Sequence, residues 1–162
     1  MHGALRIQRE SELGTLSPLP VGAVVELSER DGTIRRYYSV GNTKSEIAAL
    51  LSWTQGNVWL RESERSYMLA QRPVLFPDLE QAIAYLLQHP RSVHELDDDP
   101  DAFYFIVDAA VLQQAGLLGR VWRRTRFVDA IIELRAIREE PYLRVTHFSP
   151  EYKNRGGRQL WP

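Results

Sequence analysis

The sequence predicts a single α+β domain, a mainly antiparallel sheet built from hairpins with two or three helices packed on it. Three observations lead there. Runs rich in β-branched and aromatic residues come in pairs joined by short polar turns, as hairpin strands do. One segment carries the i, i+3, i+4, i+7 apolar spacing of an amphipathic helix. The strand-like runs are not separated by a helix each time, which favours antiparallel over parallel pairing. The 162-residue length, with 44% hydrophobic and 25% charged residues, suits one domain able to bury its own core.

Residues 1–20 mix charged and small side chains and end in Ser17-Pro18-Leu19-Pro20, which reads as a lead-in to a domain spanning 21–162. Ala23–Glu29 and Thr33–Val40 form the clearest hairpin, around the turn Arg30-Asp31-Gly32. Thr43-Lys44-Ser45-Glu46 has the capping-box form, so a helix is expected over about Lys44 to Trp53. Asn57–Glu62 and Tyr67–Arg72 read as two more strands around Ser63-Glu64-Arg65-Ser66. Leu79, Ala82, Ile83, Leu86 and Leu87 make the helical stripe, with Asp78 as its cap and His89-Pro90 at its end. A charged loop, Asp97–Asp101, precedes an expected buried strand at Ala102–Val107 and a short helix at Ala109–Ala115 closed by Gly116. Phe127–Arg138 and Tyr142–Phe148 form a second hairpin, after which the chain turns polar and glycine-bearing.

The absence of cysteine removes thiol nucleophiles, disulfides and cysteine-based zinc sites together, and fits a cytoplasmic protein. No apolar run has the length of a membrane span or a secretion signal, so no membrane partner is expected. Phosphate-binding glycine loops, HExxH, GxSxG and EF-hand patterns are missing, and no cofactor is expected. His94 lies near Asp97, Asp98 and Asp99, but an acidic run is most simply a solvated loop, and no metal is assigned. Thr43 to Glu62 has a loose helix-turn-helix outline, against which Asn57-Val58-Trp59-Leu60 is rich in strand formers.

Charge is the informative property. Residues 1–118 hold ten Lys or Arg against sixteen Asp or Glu, and residues 119–162 hold ten against five. In the basic part, cations alternate with aromatics: Arg120, Trp122, Arg123, Arg124, Arg126, Arg155 and Arg158 form a candidate nucleic-acid surface. Arginine grips phosphate bidentately and aromatic faces stack bases. The expected function is a binding or regulatory module for RNA or single-stranded nucleic acid. An alternative is a small metal-independent ribonuclease, with His147 as general acid or base, Arg144, Lys153 or Arg155 stabilising the phosphate, and Tyr152 positioning it. Arg144 and His147 stand three apart on a predicted strand, so they share a face only if a bulge intervenes. In outline the last third resembles small toxin-type ribonucleases of barnase-like and RelE-like folds, without a shared motif, and the likeness implies RNA cleavage. A third possibility is an immunity or antitoxin-like domain that binds a protein partner through its acidic first two thirds.

Overall fold

The computed structural model describes residues 3–51, 56–72, 74–121, 124–135 and 141–162. They form one α+β domain around a mixed, mostly antiparallel sheet. Its nine strands are β1 (Leu5–Ile7), β2 (Val24–Ser28), β3 (Ile34–Ser39), β4 (Val58–Arg61), β5 (Ser92–Leu96), β6 (Asp99–Asp108), β7 (Phe127–Arg135), β8 (Tyr142–Glu151) and β9 (Gln159–Trp161). They lie in the order β1-β2-β3-β4-β8-β7-β6-β5-β9. Two neighbouring pairs are parallel, β1 with β2 and β4 with β8. The helices are α1 (Ser45–Leu50), α2 (Glu62–Gln71), α3 (Leu79–Gln88) and α4 (Ala109–Gln114).

Both expected hairpins form, β2 with β3 and β7 with β8. In the first turn, Gly32 takes a φ of 88°, open to glycine without strain, and the Asp31 carboxylate accepts from the Thr33 amide at 2.9 Å. Helix α3 follows its stripe: Leu79, Ala82, Ile83, Leu86 and Leu87 are buried, and Asp78 accepts from the Gln81 amide at 3.1 Å. Burial of its four Leu and Ile side chains contributes about 1.5–3 kcal/mol each before entropy is counted.

Four expectations are corrected. There are four helices among the described residues, not two or three, because Tyr67–Arg72 is not a strand: residues 62–71 are helical. Glu62 and Glu64 sit in its first turn, where the helix dipole favours acids, and Arg61 clamps Glu64 at 2.7 and 2.8 Å. The capping box does not form; Lys44 is the N-cap of α1, and the buried Thr43 hydroxyl has no hydrogen-bond partner. Trp53, at the expected end of that helix, lies outside the described residues. Residues 92–96, left unassigned by the sequence, form β5 against β6; Asp99–Asp101, expected as part of a charged loop, already belong to β6; and the tail supplies β9 against β5. Residues 5–7 join the sheet as β1, and Leu13 is fully buried, so part of the lead-in is packed.

The sheet has two different faces. The helical layer closes one, with Ile47, Met68, Ile83, Leu86 and Leu112 packed on Val58, Phe105, Val128, Val145 and Phe148. On the other face, residues 5–19 cover the β1–β4 half through Ile7, Leu13, Val25, Tyr37, Trp59 and Tyr142. The Trp59 indole donates to the Leu13 carbonyl at 3.0 Å and fastens that segment down. The β5–β8 half of the same face is polar and is crossed by the chain between β8 and β9.

Candidate functional site

Strands β7 and β8 pair regularly from Arg135 and Tyr142 to Ile132 and Val145, and then Ile131 pairs with His147. Thr146 is therefore an extra residue, a β-bulge. It lets Leu143, Val145 and Phe148 all face the helical layer, and it turns Arg144, His147 and Ser149 together onto the opposite face.

On that face a hydrogen-bond chain runs across three strands. Asp129 of β7 is buried; its Oδ2 accepts from the Tyr104 hydroxyl of β6 at 2.6 Å, and its Oδ1 lies 2.9 Å from His147 Nε2. Since a carboxylate only accepts, His147 donates Nε2–H to it, and the lone pair falls on Nδ1, for which no partner is present among the described residues. Ser149 Oγ is 3.1 Å from the same Nε2 and donates to Glu151 Oε1 at 3.1 Å, while Arg155 donates to Glu151 Oε2 at 3.1 Å. The Tyr104 hydroxyl is held well above the usual phenol range, first by burial and then by its bond to Asp129.

Two familiar chemistries do not fit this chain. Serine, histidine and aspartate are all present, but Asp129 and Ser149 meet the same imidazole nitrogen, so His147 cannot relay a proton between them as an acyl-transfer triad requires. The ligand atoms of Asp129, His147 and Glu151 lie within 4.8 Å of one another, a spacing that could hold a cation. Tyr104, Ser149 and Arg155 already engage those carboxylates, and the Arg155 charge opposes a metal there.

His147 is half-exposed and opens into a cleft of about 360 Å³ between α2 and β8, lined also by Glu64, Tyr67, Gln71, Arg72 and Ser149. A second cleft of about 470 Å³ shares Gln71 and Arg72 and continues past Arg120, Thr125 and Pro150. The two adjoin at Gln71 and Arg72, and together they form the groove between α2 and β8 that is the candidate site. Tyr67 is among the most exposed aromatics of the protein, and Arg72 and Arg120 are exposed cations. Glu64 is the one acid among the lining residues; burial pushes its carboxyl up, but hydrogen bonds from Arg61 and Ser63 outweigh this and hold it below the usual range.

The basic residues singled out in the sequence divide into groups. Arg120 lines the groove, and Arg124 and Arg126, both exposed, flank its Thr125. Trp122 and Arg123 lie outside the described residues. Arg155 pairs with Glu151 at 3.1 Å and Arg158 with Glu95 at 2.6 Å. Arg144 shares the face of His147 but is buried, with Glu64 and Glu133 at 3.9 and 3.8 Å. Tyr152 and Lys153 are exposed on the tail, the ammonium 5.4 Å from the ring centroid. Neither they nor Arg144 line the groove.

Sequence reasoning missed Asp129, Tyr67 and Arg72. A signal for the first was present: one carboxylate inside the apolar run Val128-Asp129-Ala130-Ile131 is buried if the strand is, and then needs donors. Tyr67 and Arg72 were hidden by the strand assignment of α2. No family model, curated protein or solved structure matches this chain. No helix among the described residues is long and apolar enough to cross a membrane.

Proposed function

We propose that the protein is a binding module for single-stranded nucleic acid, RNA in particular, held in the groove between α2 and the second half of β8. The observation that carries this reading is that the two adjoining clefts share Arg72, with Arg120 lining one and Tyr67 and His147 lining the other. Arginine forks match phosphate oxygens, and an exposed ring offers a stacking surface to any base. With Glu64 neutralised by Arg61, the lining is net positive. Arg124 and Arg126 extend the cationic stretch along the rim. Arg155 and Arg158 contribute less, because a polyanion would first have to displace Glu151 and Glu95.

Fluorescence anisotropy with a labelled RNA of roughly a dozen nucleotides tests this. Four groove and rim arginines predict a log–log salt slope of up to about −3, at about 0.7 per phosphate for a single strand. Arg72→Ala with Arg120→Ala should flatten that slope by about 1.4. Tyr67→Ala should weaken binding by about 1–3 kcal/mol, the usual value of one stacked base. No binding at low salt, or binding indifferent to all three substitutions, refutes the proposal.

A further inference from the structure

We infer that the groove cleaves the RNA it binds, by a metal-independent transesterification in which His147 is the general base. This rests on RNA occupying the groove, and it adds an activity to that reading. The observation behind it is the wiring of His147. Its Nε2–H is committed to a buried carboxylate at 2.9 Å, its Nδ1 has no partner among the described residues, and its ring borders a cleft that Arg72 also lines. A base needs an oriented ring, a free lone pair and access to substrate, and His147 has all three. Asp129 is the positioning residue: it fixes the tautomer and stabilises the imidazolium that forms.

RNA brings its own nucleophile. The 2′-hydroxyl gives its proton to His147 Nδ1 as its oxygen forms a bond to the adjacent phosphorus. The bond from phosphorus to the 5′ oxygen breaks, and that oxygen takes a proton from water in the open cleft. His147 then returns its proton to solvent. The products are a 2′,3′-cyclic phosphate and a 5′-hydroxyl, with no change of oxidation state and no co-reactant. The Arg72 guanidinium is the cation available to the charge that builds on the phosphoryl oxygens.

The test uses the full chain in EDTA with a labelled RNA and the same sequence as DNA, which lacks the 2′-hydroxyl. The expected result is cleavage of RNA alone, with products ending in cyclic phosphate. His147→Gln should lower kcat at least about 100-fold, with RNA retention within twofold, and Asp129→Asn should lower kcat with KM nearly unchanged. His89→Gln, at the exposed end of α3, should cleave as the native protein does. Each of the following overturns the inference: binding without cleavage in the native protein, cleavage of DNA at the same rate, loss of all cleavage in EDTA, or full activity in His147→Gln. The comparison of RNA with DNA needs no variant, so a folding defect in any of them leaves the test standing. Binding without cleavage would still leave the groove as an RNA site, whereas the absence of both would remove the two readings together.

Discussion

Gly156→Ala should destabilise the fold by about 2–3 kcal/mol, because the tail crosses the polar face at a distance only glycine permits. An alanine Cβ there would lie 2.6 Å from both Cβ and Cγ of His94 and 2.9 Å from Tyr104 Cδ1. Ordinary carbon contacts are about 3.5–4.0 Å, so something must move by about 1 Å. The sheet side cannot yield easily: His94 and Tyr104 are buried, His94 bonded to Ser92 at 2.8 Å and Tyr104 to Asp129 at 2.6 Å. The tail must lift instead. Lifting strains the His94 contact with the Gly157 carbonyl at 3.1 Å and the Gly157 amide bond to Glu95 at 2.8 Å. Overpacking of this kind costs about 1–3 kcal/mol, and each hydrogen bond lost adds about 1 kcal/mol. In a domain this size that lowers Tm by roughly 4–12 °C. Thermal and urea unfolding followed by tryptophan fluorescence would measure it, with Gly3→Ala, whose Cβ would meet nothing within 4 Å, as the control. A Gly156→Ala protein within about 0.5 kcal/mol of the native one, the range of neutral surface changes, would refute the seating of the tail on β5 and β6.

Leu13→Ala should cost about 2–5 kcal/mol in urea unfolding if residues 5–19 are part of the fold, since Leu13 is buried in the second cluster; a cost under 0.5 kcal/mol, the level of a surface change, would make that segment dispensable. Asp78→Ala removes the cap of α3 and should cost about 1 kcal/mol, read by the same assay. The fold holds Tyr104 and Tyr142 neutral to unusually high pH, chiefly by burial and then by their bonds to Asp129 and Glu10, and burial pushes Tyr37 and Tyr38 up as well. Raised values mean that this stability is fully present below about pH 10 and is lost as pH climbs toward the folded values, by about 1.4 kcal/mol per pH unit for each tyrosine. Tyrosinate absorbance of the folded protein should therefore show Tyr104 and Tyr142 ionising only well above the usual phenol range, and Tyr104→Phe should flatten the alkaline slope of stability. A single transition of all the tyrosines near pH 10 would contradict the buried pairs.

What could be read in advance followed how local the cause was. Helix α3 and the two hairpins are fixed by signals within one contiguous stretch of chain each, an apolar stripe with its cap and β-branched runs with a turn. Helix α2 has no stripe, since Met68 is its one buried residue, and its stability comes from charge placement at its start and from filling a space that only the folded sheet creates. Strand β5 was obscured because Ser92 and His94 look like surface residues; they are buried under a tail some sixty positions away. At the site, His147 stood out by residue type alone. Its partner Asp129 and the arginine across the cleft are assembled by pairing between strands and by α2, which no local pattern encodes.

The cleft itself follows from one mismatch in strand length. Strand β4 pairs with β8 through only two positions, Val58 with Leu143 and Trp59 with Arg144, and then the chain turns into α2 at Glu62. Strand β8 runs on to Glu151, so from Val145 onward its edge on that side lacks a strand partner among the described residues, and α2 lies alongside it instead. A helix beside a strand edge cannot match the close spacing of paired strands, which leaves room for a groove. The bulge at Thr146 falls in this unpaired stretch, where a register break disturbs no ladder on the α2 side, and the apolar demand of Val145 and Phe148 for the same layer forces it. The same extra residue that keeps the core closed thus turns His147 toward the gap and Asp129. Chemistry and packing are therefore coupled at one position: with Thr146 present but no bulge, strict alternation past Val145 would send Phe148 out of the core as surely as it would send His147 into it, whereas deleting Thr146 would restore a regular ladder and leave both on their present faces.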